Sequence, residues 1–253
     1  MAAAAPAADS LTAKPGAWVD LGLTLPIFLV YHLAVVFLGV QNATDVVTGT
    51  LLSLSAGNKT TYLLSTLAIG VIFAGTFALA GRGQAFRPRK FLQIAIEGVV
   101  YAFTMAVFAS YVVGSIFAGP SSIRDEGRFV GFIMSLGAGF YEELTFRVIL
   151  FGLGAKVLVK VFGNQKVELA GTQIVTRFSF RSWMVMFGWA VASALVFSGV
   201  HYVGSMSDTF HLTSFTFRAV LGLVLTLIFV TRGFAAAVWT HAIYDVWVLV
   251  FHA

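Results

Sequence analysis

The chain has 253 residues and no cysteine, which excludes a disulfide framework and a thiolate nucleophile. Hydrophobic residues make up 58% and charged ones 11%, against about 25% charged in soluble domains, and the mean hydropathy is +0.90. The net charge of +5 would suggest nucleic acid in a soluble protein. Here the basic residues fall in short loops between apolar runs, so no nucleic-acid partner is expected; the bilayer is the partner.

A membrane-crossing helix needs about 20 mostly apolar residues. Seven stretches qualify, at roughly 19–40, 61–81, 91–116, 130–156, 184–204, 212–231 and 233–252. The expected fold is all-α, a polytopic transmembrane helix bundle with about seven spans. Residues 1–18 read as a flexible Ala-rich tail whose only basic side chain is Lys14, and residues 19–253 as a single transmembrane domain. The first apolar run is long enough to span and is expected to be a retained helix. The segment 46–56 is too short and polar to cross and is expected at the interface. Only "TRGF" separates the last two spans, which requires a very tight reversal.

The loops orient the chain. Arg82, Arg87, Arg89 and Lys90 follow the second span, Lys160, Lys166, Arg177 and Arg181 with Glu168 follow the fourth, and Arg232 lies between the sixth and seventh. All three loops fall on one side, expected to be cytoplasmic. The opposite loops carry Asp45 with Lys59, then Arg124, Asp125, Glu126 and Arg128. Glycines such as Gly131, Gly137, Gly139, Gly152 and Gly154 allow close helix approach in lipid. No internal repeat of the kind found in secondary transporters stands out.

Ionisable residues at membrane depth are costly, about 2.5–3.5 kcal/mol each at mid-helix, so those present point to a site. The residues that stand out are Glu142, Glu143 and Arg147 in the fourth span, His201 near the end of the fifth, and His241 with Asp245 in the seventh, with His32 in the first as a further member. Glu143 and Arg147 are four apart and are expected to pair on one helix face, leaving Glu142 about 100° away. Asp245, four residues after His241, is expected either to hold the imidazole in one tautomer or to enter the site directly. Glu142 and His241 lie at nearly the same expected depth, and His201 lies nearer the outside. Two histidines and a carboxylate activate water. Two forms stay open: zinc held by His201 and His241 with Glu142, or Glu142 as general base with the histidines steadying the oxyanion. No contiguous H-E-x-x-H occurs, so the site must assemble across helices.

Three motifs carry a resemblance. "EELTFR" (142–147) is similar to the E-E-x-x-x-R motif of the CPBP family of intramembrane endopeptidases, the CaaX-protease and bacteriocin-processing group. "FSGVH" (197–201) resembles its F-x-x-x-H, and "HAIYD" (241–245) its histidine followed by Asn or Asp. The resemblance covers roughly 90–250. It implies that Glu142 activates water, that Glu143 and Arg147 support it, that His201 and His241 bind metal or steady the oxyanion, and that Phe197 packs beside His201. Asp245 stands where many members have Asn and adds negative charge. The implied activity is hydrolysis of a peptide bond in a membrane-associated or prenylated substrate, with zinc allowed but not required; the Ala-rich tail and compact size point to a bacterial cytoplasmic membrane. The competing expectations are a non-catalytic immunity or scaffold protein and a proton relay or transporter.

Overall fold

The structure, a computed structural model, describes residues 15–82, 84, 86–116, 127–163, 165–170, 173–203 and 207–251. Most of the Ala-rich tail, with Lys14, and the loop charges Arg124, Asp125 and Glu126 lie outside these residues.

Helix α1 (Ala17–Leu38) keeps Pro26 in its interior, which packed membrane helices tolerate. It stops at Gly39, whose φ of +68° and N–H to the Val35 carbonyl close the last turn. Next comes α2 (Val46–Leu54), capped by Asp45 through the N–H groups of Val47 and Thr48. This short helix is the element that the sequence assigned to the interface. Asn58 caps α3 (Lys59–Ala80) in the same way, and Pro88 opens α4 (Pro88–Ile116).

The expected fourth span is not one α-helix. It runs as α5 (Arg128–Gly137), a π-helix (Ala138–Leu153) and α6 (Gly154–Phe162). A π-helix bonds i to i+5 and turns less per residue, and such geometry concentrates at functional sites. Glu142 and Glu143 are therefore separated by less than the 100° expected of an α-helix.

Between this stretch and the next span the sequence implies a loop. The structure instead forms an antiparallel hairpin, β1 (Gln165–Ala170) with β2 (Gln173–Phe178), in which Lys166 faces Arg177 in register. The remaining helices are α7 (Phe180–Val200), capped by Ser179, α8 (Leu212–Arg232) and α9 (Phe234–Phe251). Gly233 alone joins α8 to α9, at φ +106°, a conformation that favours glycine.

Among the described residues, six helices are long and apolar enough to cross a membrane: α1, α3, α4, α7, α8 and α9. With the composite α5–π–α6 stretch, the fold class is the expected one, a polytopic and essentially all-helical membrane protein with about seven spans.

Two compact units divide the described residues. One takes those of Met1–Phe108, Ser122–Leu144 and Leu227–Ala253; the other takes those of Ala109–Ser121 and Thr145–Thr226. In the first, α1 lies against α3, α5 and α9, and α9 lies against α5. Its α9 starts with a cap from another helix: the Asp20 carboxylate of α1 accepts the N–H groups of Phe234 at 2.6 Å and Ala235 at 2.8 Å. Nearby in sequence, Arg232 forks onto Glu97 of α4 at 2.6 and 3.0 Å. Asp20 and Glu97 are charged residues inside the expected spans, and Arg232, expected as a loop cation, is paired. In the second unit α6 packs on α7, where the Trp189 indole donates to the Leu150 carbonyl at 2.9 Å.

Candidate active site

The acidic pair stands on the π-helix and its histidine on α9. The two elements meet because each offers a small surface. A Cβ on Gly139 would lie 2.7 Å from the Ala242 Cβ and 2.9 Å from the Val238 carbonyl oxygen. On the other side Ala235, Ala236 and Ala237 are completely buried. Phe140 and Phe234 pack edge to face with centroids 5.8 Å apart.

This approach sets the key contact. Nδ1 of His241 lies 2.7 Å from Oε1 of Glu143. An ionised carboxylate there can only accept, so Nδ1 carries a proton. Nε2 lies 3.4 Å from Oδ2 of Asp245 and 4.0 Å from Oε2 of Glu142. The second distance is too long for a direct hydrogen bond and suits a bridging water. Glu143 is fully buried and His241 is 6% exposed.

The structure thus brings Glu142, Glu143, His241 and Asp245 together. Glu142 and His241, expected at similar depth, approach to 4.0 Å. Of the two alternatives for Asp245, the contacts favour direct entry: Glu143, reaching across from another helix, meets Nδ1 of His241, and Asp245 is the more distant partner, on Nε2. Helical spacing suggested Asp245 because spacing registers only neighbours on the same helix.

Arg147, Phe197 and His201 belong to the second unit. The Arg147 guanidinium sits over the Phe197 ring at 4.1 Å, and Phe197 packs edge-on against Phe146 and His201, each at 5.2 Å. Phe197 is buried, as the motif implied. His201 follows the last residue of α7, and its Nδ1 donates to the Phe197 carbonyl at 2.9 Å. In both histidines Nδ1 meets an oxygen acceptor, which places a proton on that nitrogen. Among the described residues no group of three or more His, Asp and Glu side chains has metal-holding geometry.

A polar layer of the first unit escaped the sequence reading. His32 was noted, but its partners were not: the Tyr62 hydroxyl at 2.8 Å from Nδ1 and the Tyr141 hydroxyl at 2.5 Å from Nε2. Asp45, expected as a loop charge, is 1% exposed and accepts from the Tyr31 hydroxyl at 2.8 Å. Asn42 donates to Oε1 of Glu142 at 2.8 Å. The one available signal was Asp45 followed three residues later by Thr48, a helix-start pattern.

Residues 126–247 match the family model described as Type II CAAX prenyl endopeptidase Rce1-like. No curated protein and no solved structure matches the chain. The matched segment contains Glu142, Glu143, Arg147, His201, His241 and Asp245, and leaves out all of α1 to α4.

Proposed function

We propose, from the match of residues 126–247 to the Rce1-like family model, that this chain is an intramembrane endopeptidase acting on a membrane-associated or prenylated peptide substrate. The observation that carries this reading is the buried His241–Glu143 hydrogen bond of 2.7 Å, with Nε2 turned toward Glu142. A buried histidine held by one carboxylate and facing a second is the arrangement of a water-activating site.

In the proposed reaction a water lies between Oε2 of Glu142 and Nε2 of His241 and donates a hydrogen bond to each. Glu142 takes a proton as the water oxygen bonds to the scissile carbonyl carbon. The carbonyl electron pair moves to its oxygen. Collapse of this tetrahedral species breaks the C–N bond, and Glu142 returns the proton to the leaving nitrogen. Glu143 keeps the imidazole in the tautomer that accepts from water. Asp245 adds negative charge beside Nε2. His201 and Arg147 enter with the roles that the family resemblance implies.

Zinc is a second form of the same reading, with His241 and Glu142 as donors in this unit, and none of the steps above passes through it. Stoichiometric metal in the purified protein, lost in His241→Ala, is its test. An integral-membrane location follows from the apolar helices. We assign the basic loops to the cytoplasmic side of a bacterial membrane, by the positive-inside rule.

The reading is tested by comparing peptide termini in membranes from cells carrying wild type and cells carrying Glu142→Ala at matched expression. New ends that appear only with wild type are the expected result. Identical profiles, with the variant still complementing a deletion, would replace catalysis with binding.

A further inference from the structure

The matched segment ends short of the groups that touch the proposed base. Asn42 lies in the connection between α1 and α2, outside residues 126–247. Its side-chain orientation is set by the contacts around it. The Thr44 backbone N–H can only donate, and it meets one Asn42 side-chain atom at 2.9 Å; that atom is therefore Oδ1. The Thr44 hydroxyl donates to the same oxygen at 2.6 Å. Nδ2 is left facing Oε1 of Glu142, 2.8 Å away.

The connection that carries Asn42 is itself fixed. The Asn42 N–H donates to the Tyr31 hydroxyl at 3.0 Å, and that hydroxyl donates to Oδ2 of Asp45 at 2.8 Å. Oδ1 of Asp45 takes the N–H groups of Val47 and Thr48, and the Thr48 hydroxyl donates to Oδ2. One residue before Glu142, the Tyr141 hydroxyl is bound by His32, which also meets Tyr62. Tyr31, His32, Asn42, Asp45, Tyr62 and Tyr141 are each 6% exposed or less. So the N-terminal helices hold the π-helix at two consecutive residues, through His32 at Tyr141 and through Asn42 at Glu142.

We propose that Asn42 is a positioning residue for the water-activating carboxylate: its amide holds Oε1 of Glu142 and thereby directs Oε2 toward His241. The inference rests on the reading of Glu142 as the base. A hydrogen bond to one carboxylate oxygen restricts rotation of the group, so the other oxygen meets the water in one place. Misplacing a reacting group by about 1 Å costs roughly 100-fold in rate.

The test separates donation to Glu142 from support of the loop. Ionised Asp has the shape of Asn and keeps an acceptor for Thr44, but offers Glu142 no donor; Asn42→Leu, which adds no charge, separates loss of the donor from repulsion between two carboxylates. The probe is a farnesylated peptide ending in a CaaX sequence, with a fluorophore and quencher across the scissile bond, presented to the full-length protein in lipid vesicles. Asn42→Asp is expected to lower kcat by about 10- to 100-fold with KM changed less than about 2-fold. If the added charge lowers the yield, Asn42→Leu removes the donor without charge and is expected to show the same split. Wild-type kcat in both variants, with Glu142→Ala inactive, overturns the inference and leaves the hydrolytic reading standing. If wild type itself releases no Glu142-dependent product, the hydrolytic reading fails, and thermal unfolding of Asn42→Ala, Glu142→Ala and the double variant decides the pairing. A loss of Tm in the double variant smaller than the sum of the two single losses upholds the Asn42–Glu142 coupling. Additive losses overturn it.

Discussion

Helices α1 and α3 are each 22 residues long and nearly equally apolar, yet 56% of the apolar window of α1 is buried and only 17% of that of α3. Hydropathy therefore does not say which span is interior. Between packed helices and lipid tails there is no hydrophobic contrast to sort them. What differs is where their polar groups go. Asp20, Thr24 and His32 are spaced along α1, and each has a hydrogen-bond partner. On α3 the buried polar groups Tyr62 and Thr66 sit near its start. Much of its remaining length exposes large apolar side chains such as Leu67, Val71, Ile72 and Leu79, suited to lipid. A polar group in a span must find a partner inside the protein, so polar residues mark the interior.

That contrast breaks most visibly at Asp20. Its carboxylate takes two N–H groups at the first turn of α9, the helix that carries His241. Asp20→Ala leaves both donors buried without that acceptor, and hydrogen bonds to a charged group contribute about 1.5–3 kcal/mol each. A loss of about 3 kcal/mol is expected, read by unfolding in mixed detergent–SDS micelles, with activity falling in parallel as α9 frays at its start. A variant as stable as wild type would mean that the cap is dispensable and that α1 is interior for some other reason.

Tyr62→Phe is a smaller change, and it sharpens the comparison within α3 itself. The ring stays and only the hydroxyl that meets His32 is lost. Hydrogen bonds between membrane helices contribute about 0.6 kcal/mol on average and about 1.7 at most, so a loss in that range is expected in the same micelle titration. Restoration of stability in a His32→Phe, Tyr62→Phe pair, relative to the sum of the single changes, would locate the effect in this one contact.

The same physics explains what the sequence could disclose. Spans are legible because apolar length sums residue by residue, and the reversal at Gly233 is legible because few residues remain to make it. The conspicuous charges Glu142, Glu143 and His241 were legible as a site because each is costly in lipid unless it is placed. Their pairing was not, since the partner of Glu143 is 98 residues away and helical spacing compares only near neighbours. The π-helix was hidden because apolar length and helical spacing do not distinguish i to i+5 bonding from i to i+4 bonding. Asp45 and Asn42 were read past because a polar residue between spans ordinarily faces water; here the connection folds inward and buries both.

The smallest expected effect tests the outward face. Ile72 is 63% exposed, in the middle of α3. In water, burying or truncating an isoleucine matters because solvent is driven from its surface. In a bilayer the truncated side chain is replaced by lipid tail of the same polarity, so Ile72→Ala removes little that distinguishes folded from separated helices. A change within about 0.5 kcal/mol is expected, as at surface positions generally, with unaltered cleavage. The measurement is the same micelle titration used for Asp20→Ala, run side by side. If Ile72→Ala destabilises as much as Tyr62→Phe, that face of α3 is packed against protein rather than lipid. The low burial of α3 would then describe an interface with a second molecule, and polar content would no longer be what separates α1 from α3.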